Sequence, residues 1–100
     1  MQIPAHLLKD RYWRGTLHLF TKHDKLQRCM TSQYFDFDEG EIRTTGLRQL
    51  TKPWSQSERF MLELALHLFN ERHLVNLHIM DYLDTRNKEL AFEAIRLRFG

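Results

Sequence analysis

The chain is predicted to be mainly α, a compact single-domain helical bundle with a small hairpin or an irregular loop near residues 34–45. Three observations predict this. The run Ser55–Asn70 (SQSERFMLELALHLFN) is apolar around most of a helical wheel and opens with an S-x-x-E capping pattern. Residues 10–22 carry a second amphipathic period, and residues 88–99 repeat the design of the first run. No internal repeat, low-complexity tract or linker divides the 100 residues, so the expectation is one domain, 1–100.

In the first segment, Pro4 suits the first position of a short helical turn, and Leu7 and Leu8 are expected to tuck against the body. Asp10 is a candidate N-cap for a helix Arg11–Lys22. On its wheel Tyr12, Trp13, Thr16, Leu17, Leu19 and Phe20 cover an arc of roughly 160°. The opposite arc holds Arg11, Arg14, Gly15, His18, Thr21 and Lys22, an almost purely basic outer face. Gly15 on that face costs about 1 kcal/mol relative to alanine. Either something approaches its backbone closely there, or the cost is simply tolerated.

Asp24 can cap a shorter helix from Lys25 to about Ser32, with Leu26, Cys29 and Met30 as its apolar stripe. Residues 33–45 are the least helical. Tyr34, Phe35 and Phe37 interleave with Asp36 and Asp38, and Gly40 follows, so a hairpin turning at 38–40 and an aromatic-anchored loop are both open. Gly46–Leu50 reads as one helical turn. Pro53 disfavours helix at Lys52 and leads into the long run.

In that run Gln56, Arg59, Glu63, His67 and Asn70 share an arc of about 80°. Phe60, Met61, Leu62, Leu64, Ala65, Leu66, Leu68 and Phe69 fill most of the rest, so the helix must be covered on several sides. It is the expected core pillar. Asn76 can cap a short helix carrying Leu77, Ile79, Met80, Tyr82 and Leu83. Residues 84–87 read as a turn or N-terminus before a closing helix, Lys88–Phe99. Its polar stripe is Glu89, Glu93 and Arg96, and it is expected to pack beside the pillar.

These residues also resemble a known pattern. It comprises the Asp10-led aromatic helix, Tyr34-Phe35-Asp36-Phe37, Ile42 with Gly46-Leu47, Trp-Ser-Gln-Ser at 54–57, Leu-Ala-Leu-x-Leu-Phe-Asn at 64–70 and Glu-Ala-Ile-Arg-Leu-Arg-Phe at 93–99. Over residues 10–99 the chain is similar to a family of small proteins of unknown function from Firmicutes and their phages and mobile elements. The resemblance implies a compact, mainly helical fold and a phage or mobile-element origin. It brings no activity and no catalytic residues.

Apolar residues make up 42% and charged residues 28%, the balance of an ordinary globular protein. No run approaches the roughly 20 apolar residues of a membrane span. The start MQIPAHLLKD lacks the basic and apolar pattern of a signal peptide. Cys29 is the only cysteine, so no internal disulfide forms, and the expected setting is cytoplasmic. His67, His73 and His78 lie six and five apart, and His18 and His23 five apart, which does not match the i, i+3 or i, i+4 spacing of helical metal ligands. Counted from Asp36, the acidic stretch has Gly40 at position 5 and Leu47 at position 12, against the Gly at 6 and Glu at 12 of a calcium loop. Neither a phosphate-binding glycine loop nor a nucleophile elbow is present. The expectation is a non-enzyme with no metal and no cofactor.

The net charge of +2 is small, but it is segregated. Residues 9–28 hold six basic and two acidic side chains, and residues 36–41 hold four acidic ones. The candidate partner-binding surface is therefore the basic face Arg11, Arg14, His18, Lys22, Lys25 and Arg28, with the acidic loop Asp36, Asp38, Glu39 and Glu41. A solvated helix face accounts for the same residues. The favoured function is protein–protein interaction, such as a phage- or mobile-element-encoded modulator or inhibitor of a host protein. The alternative is a small nucleic-acid-binding protein using the basic face. The apolar arcs of two helices are also wide for 100 residues to cover, and a homodimer would bury the excess.

Overall fold

Ser55 fixes where the longest core helix begins. Its hydroxyl accepts from the Glu58 N–H at 3.2 Å, and the Glu58 carboxylate accepts from the Ser55 N–H at 3.0 Å, closing the capping box. The computed structural model describes residues 1–100, in the order α1 (Ala5–Lys9), α2 (Arg14–Lys22), α3 (Asp24–Gln27), β1 (Phe35–Asp36), β2 (Glu41–Ile42), α4 (Thr44–Leu50), α5 (Gln56–Phe69) and α6 (Thr85–Phe99). A 3-10 helix, Leu77–Tyr82, lies between α5 and α6. The fold is mainly α, as the sequence predicts. No helix is long and apolar enough to cross a membrane.

The element at the centre is α2 rather than α5. It packs against both α5 and α6, while α5 and α6 touch each other less. The closing helix packs beside α5 as expected, but lies chiefly on α2. Gly15 is the reason. A Cβ built there would stand 2.6 Å from the Ala94 carbonyl oxygen and 3.4 Å from Leu68 Cδ1, so α6 crosses directly over its backbone. Ala91 and Ala94 are small enough to allow that approach, and both are fully buried. On the α5 side the buried Thr16 hydroxyl donates to the Ala65 carbonyl at 2.8 Å.

Several helix starts differ from expectation for local reasons. Asp10 accepts from the Tyr12 N–H through its carboxylate at 2.8 Å, and its carbonyl accepts from Trp13 and Arg14. Residues 11–13 therefore make a turn, and α2 begins at Arg14. His23, not Asp24, caps α3: its Nδ1 accepts from the Leu26 N–H at 3.4 Å. That helix is a single turn ending at Gln27, short of the expected Ser32. Asp84 accepts from the Asn87 N–H at 2.8 Å, which starts α6 three residues before Lys88. Leu7 is buried as expected, but Leu8 is exposed.

The hairpin alternative holds for residues 35–42. The strands are antiparallel, with Phe35 opposite Ile42 and Asp36 opposite Glu41. Gly40 turns it at φ 67°, a left-handed angle that glycine reaches without strain. The hairpin is pinned by aromatic edges, Phe20–Phe35 at 4.9 Å and Trp13–Phe37 at 5.8 Å between centroids, and Trp13 in turn packs on Phe69 of α5 at 4.7 Å. The polar stripe of α5 is likewise not left bare. Glu63 pairs with Arg48 of α4 at 3.0 Å, and His67 Nδ1 donates to the His73 carbonyl at 2.7 Å.

Candidate functional site

The residues of the expected basic face do not form one free stripe. Because α6 crosses at Gly15, much of the arc taken as outward is an internal contact. His18 Nε2 lies 3.0 Å from Glu93 Oε1 on α6. Arg14 is half-buried, and its Nε is enclosed without a hydrogen-bond partner. Lys25 pairs with Glu58 at 3.0 Å and lies over the Trp54 ring at 5.4 Å. Arg11, Lys22 and Arg28 remain exposed. The face predicted from residues 11–28 is thus divided into separate exposed cations.

The acidic residues do share one hairpin. Asp38, Glu39 and Glu41 are exposed, and Asp36 is half-buried, with its carboxylate accepting from the Glu39 N–H at 3.1 Å. None of the four is ion-paired within the chain. The hairpin base is tied by Arg43, whose guanidinium donates to the carbonyls of Ser32 and Gln33 at 3.0 and 2.9 Å.

A polar cleft of about 330 Å³ forms where the starts of α3, α5 and α6 meet, around His23, Lys25, Glu58 and Asp84. Its charged groups already serve the helix ends. Burial pushes the His23 imidazole below its ordinary pKa, against the opposing pull of Glu58 and Asp24. The Ser55 N–H, followed by Lys25, holds the Glu58 carboxyl below the usual range. Burial raises the Cys29 thiol, which keeps it protonated and a poor nucleophile. No three His, Cys, Asp or Glu side chains converge as a metal would require.

The surface that stands out is apolar. On α6, Leu90, Ala91 and Ala94 face inward, while Phe92 and Phe99 are 55% and 65% exposed. Beside them a groove of about 190 Å³ is walled by Leu64, Leu68, Val75, Leu77, Ile95 and Phe99. Leu77 and Leu74 are 57% and 80% exposed. At the C-terminal end of α6 the Arg98 guanidinium lies 4.4 Å from the Tyr12 centroid and 4.5 Å from that of Phe99. The wheel of residues 88–99 contains these apolar residues, and the over-wide arc was the available signal. It does not say which part of the arc stays uncovered. Comparison with protein-family models, with curated proteins and with solved structures gave no match.

Proposed function

We propose that the protein is a non-enzymatic protein–protein interaction module, and that its docking face is the exposed apolar surface of α6 with Leu74 and Leu77. The observation that carries this reading is the pair Phe92 and Phe99, both more than half exposed on one helix face beside an apolar groove. Large aromatics left in water cost solubility and are enriched where proteins meet. The likeness to phage and mobile-element proteins fits a module that modulates a host protein. The nucleic-acid reading draws less support, because His18 and Lys25 are paired with Glu93 and Glu58 and Arg14 is half-buried, which leaves no continuous basic stripe.

The test is quantitative affinity capture with the wild-type chain and a Phe92→Glu/Leu77→Glu variant, after circular dichroism confirms equal helicity. The expected outcome is loss of a protein retained by wild type, with retention unchanged in Arg11→Glu/Lys22→Glu. An identical set of retained proteins for the folded Phe92→Glu/Leu77→Glu variant refutes the assignment of this face.

A further inference from the structure

We propose that the occupant of the α6 face is a second copy of this chain, with the two α6 helices paired antiparallel about a two-fold axis. This rests on the docking-face reading above and names the partner. Phe92 and Phe99 are seven residues apart with Ile95 between them, the spacing of a helix-pairing seam. Glu89 and Arg96 are also seven apart, and so occupy one flank of that seam. Both are exposed, and neither forms an ion pair within its own chain.

One register satisfies all of these residues. With Phe92 opposite Ile95 of the second copy, Lys88 falls opposite Phe99, where its aliphatic stem packs on the ring that Arg98 overlies from the other copy's own chain. Glu89 then lies within about half a turn of Arg96 of the second copy. The two-fold axis makes each contact occur twice, as a self-complementary interface demands. A parallel pairing would instead set Lys88 against Lys88 at the seam. Opposite charges at equivalent positions on one flank, beside an apolar stripe, therefore fit another copy of the same helix.

The size of the surface sets the strength. With roughly 200 Å² for a phenylalanine side chain, Phe92 and Phe99 each offer somewhat over 100 Å². Adding Ile95, Leu77 and the Lys88 stem brings the two copies to a total near 1,000 Å², about the lower edge of specific interfaces. An interface at that lower edge belongs with weak, concentration-dependent complexes, so association is to be sought across the micromolar range.

Sedimentation velocity on the full chain, from about 1 to 200 µM, covers that range. The mass is expected to rise toward that of two chains, and Phe92→Glu is expected to stay monomeric. Glu89→Arg and Arg96→Glu should each weaken association about tenfold, since each sets like charges together twice. The double variant Glu89→Arg/Arg96→Glu should restore wild-type association, a rescue that a merely structural effect on α6 would not give. A wild type that remains monomeric overturns the second copy. If such a monomer still retains another protein in a Phe92-dependent way, the docking-face reading survives; if it retains none, both fall. A dimer that persists in Phe92→Glu, or that is not rescued by the charge exchange, overturns the register.

Discussion

Replacing Gly15 by alanine probes the contact that puts α2 at the centre of the bundle. The new methyl would sit 2.6 Å from the Ala94 carbonyl oxygen, a backbone atom that cannot rotate aside. An ordinary C···O contact is near 3.3 Å, so α2 and α6 must separate by about 0.7 Å. A gap of that size forfeits roughly a quarter to a half of each dispersion contact across the interface. Overpacking of this kind costs about 1–3 kcal/mol, and the backbone obstacle places it near the upper end. Alanine returns about 1 kcal/mol of helix propensity. The net loss is therefore about 2 kcal/mol, and the melting temperature should fall by roughly 8–16 °C. Thermal and urea melts followed by circular dichroism measure this. Gly46→Ala is the control, because its methyl would meet only the edge of the Tyr34 ring, at 3.1 Å, and a ring can shift. Stability equal to or above wild type in Gly15→Ala would refute the close approach of α6.

Two further outcomes follow from buried polar groups. Thr16→Val removes the hydroxyl that donates to the Ala65 carbonyl while keeping the shape, and should cost about 1 kcal/mol as a lower urea midpoint with unchanged slope. His23 is held below its ordinary pKa of 6.5, so the unfolded chain takes up the proton first and stability declines as the pH falls through 6.5 toward the lower folded value. His73, lowered by burial and then by Arg48, acts in the same direction. His23→Asn keeps a cap acceptor but cannot titrate, so its melting temperature should decline less steeply than that of wild type between about pH 7 and pH 5. Equal slopes would separate His23 from the pH response. Glu58 titrates in a different window: its contribution is present above its unfolded value of 4.5 and is lost below that, as the pH falls through its folded pKa.

What could be read from the chain divides along a physical line. Some local chemistry was legible: the Ser55–Glu58 capping box and the Asn76 cap each depend on residues a few positions apart, although the starts of α2, α3 and α6 were misread where two polar residues competed to cap or turn the chain. Long-range cover was not. A wheel shows that Arg11, Arg14, Gly15 and His18 share an arc, but not that α6 lies across it, because Ala91 and Ala94 are some 75 residues away. Gly15 left close approach and mere tolerance equally open, and only the packing decides between them. The same gap separates the basic face read from the sequence from the apolar face proposed from the packing. Residues 88–99 visibly carried more apolar surface than one core needs, yet the wheel could not say that Phe92 and Phe99 would be the ones left outside.

The division of residues on α6 supports the proposal that its outer surface is a docking face. A helix selected only to complete the bundle gains most by turning its largest side chains inward, since burial returns about 25 cal/mol per Å². Here the inward positions hold Leu90, Ala91 and Ala94, and the outward ones hold Phe92 and Phe99. The small residues are required by the carbonyl crossing at Gly15, and the inner interface is complete without the aromatics. Polar side chains at 92 and 99 would leave that interface intact and remove the solubility cost. Small residues where α6 crosses α2, with large ones toward solvent, support the proposal of a second interface beyond the chain. Of the basic residues on α2, His18 pairs with Glu93 and Arg14 is half-buried, while Lys22 stays exposed as an isolated cation. On α6, Phe92 and Phe99 are both more than half exposed, with Arg98 over the Phe99 ring alone.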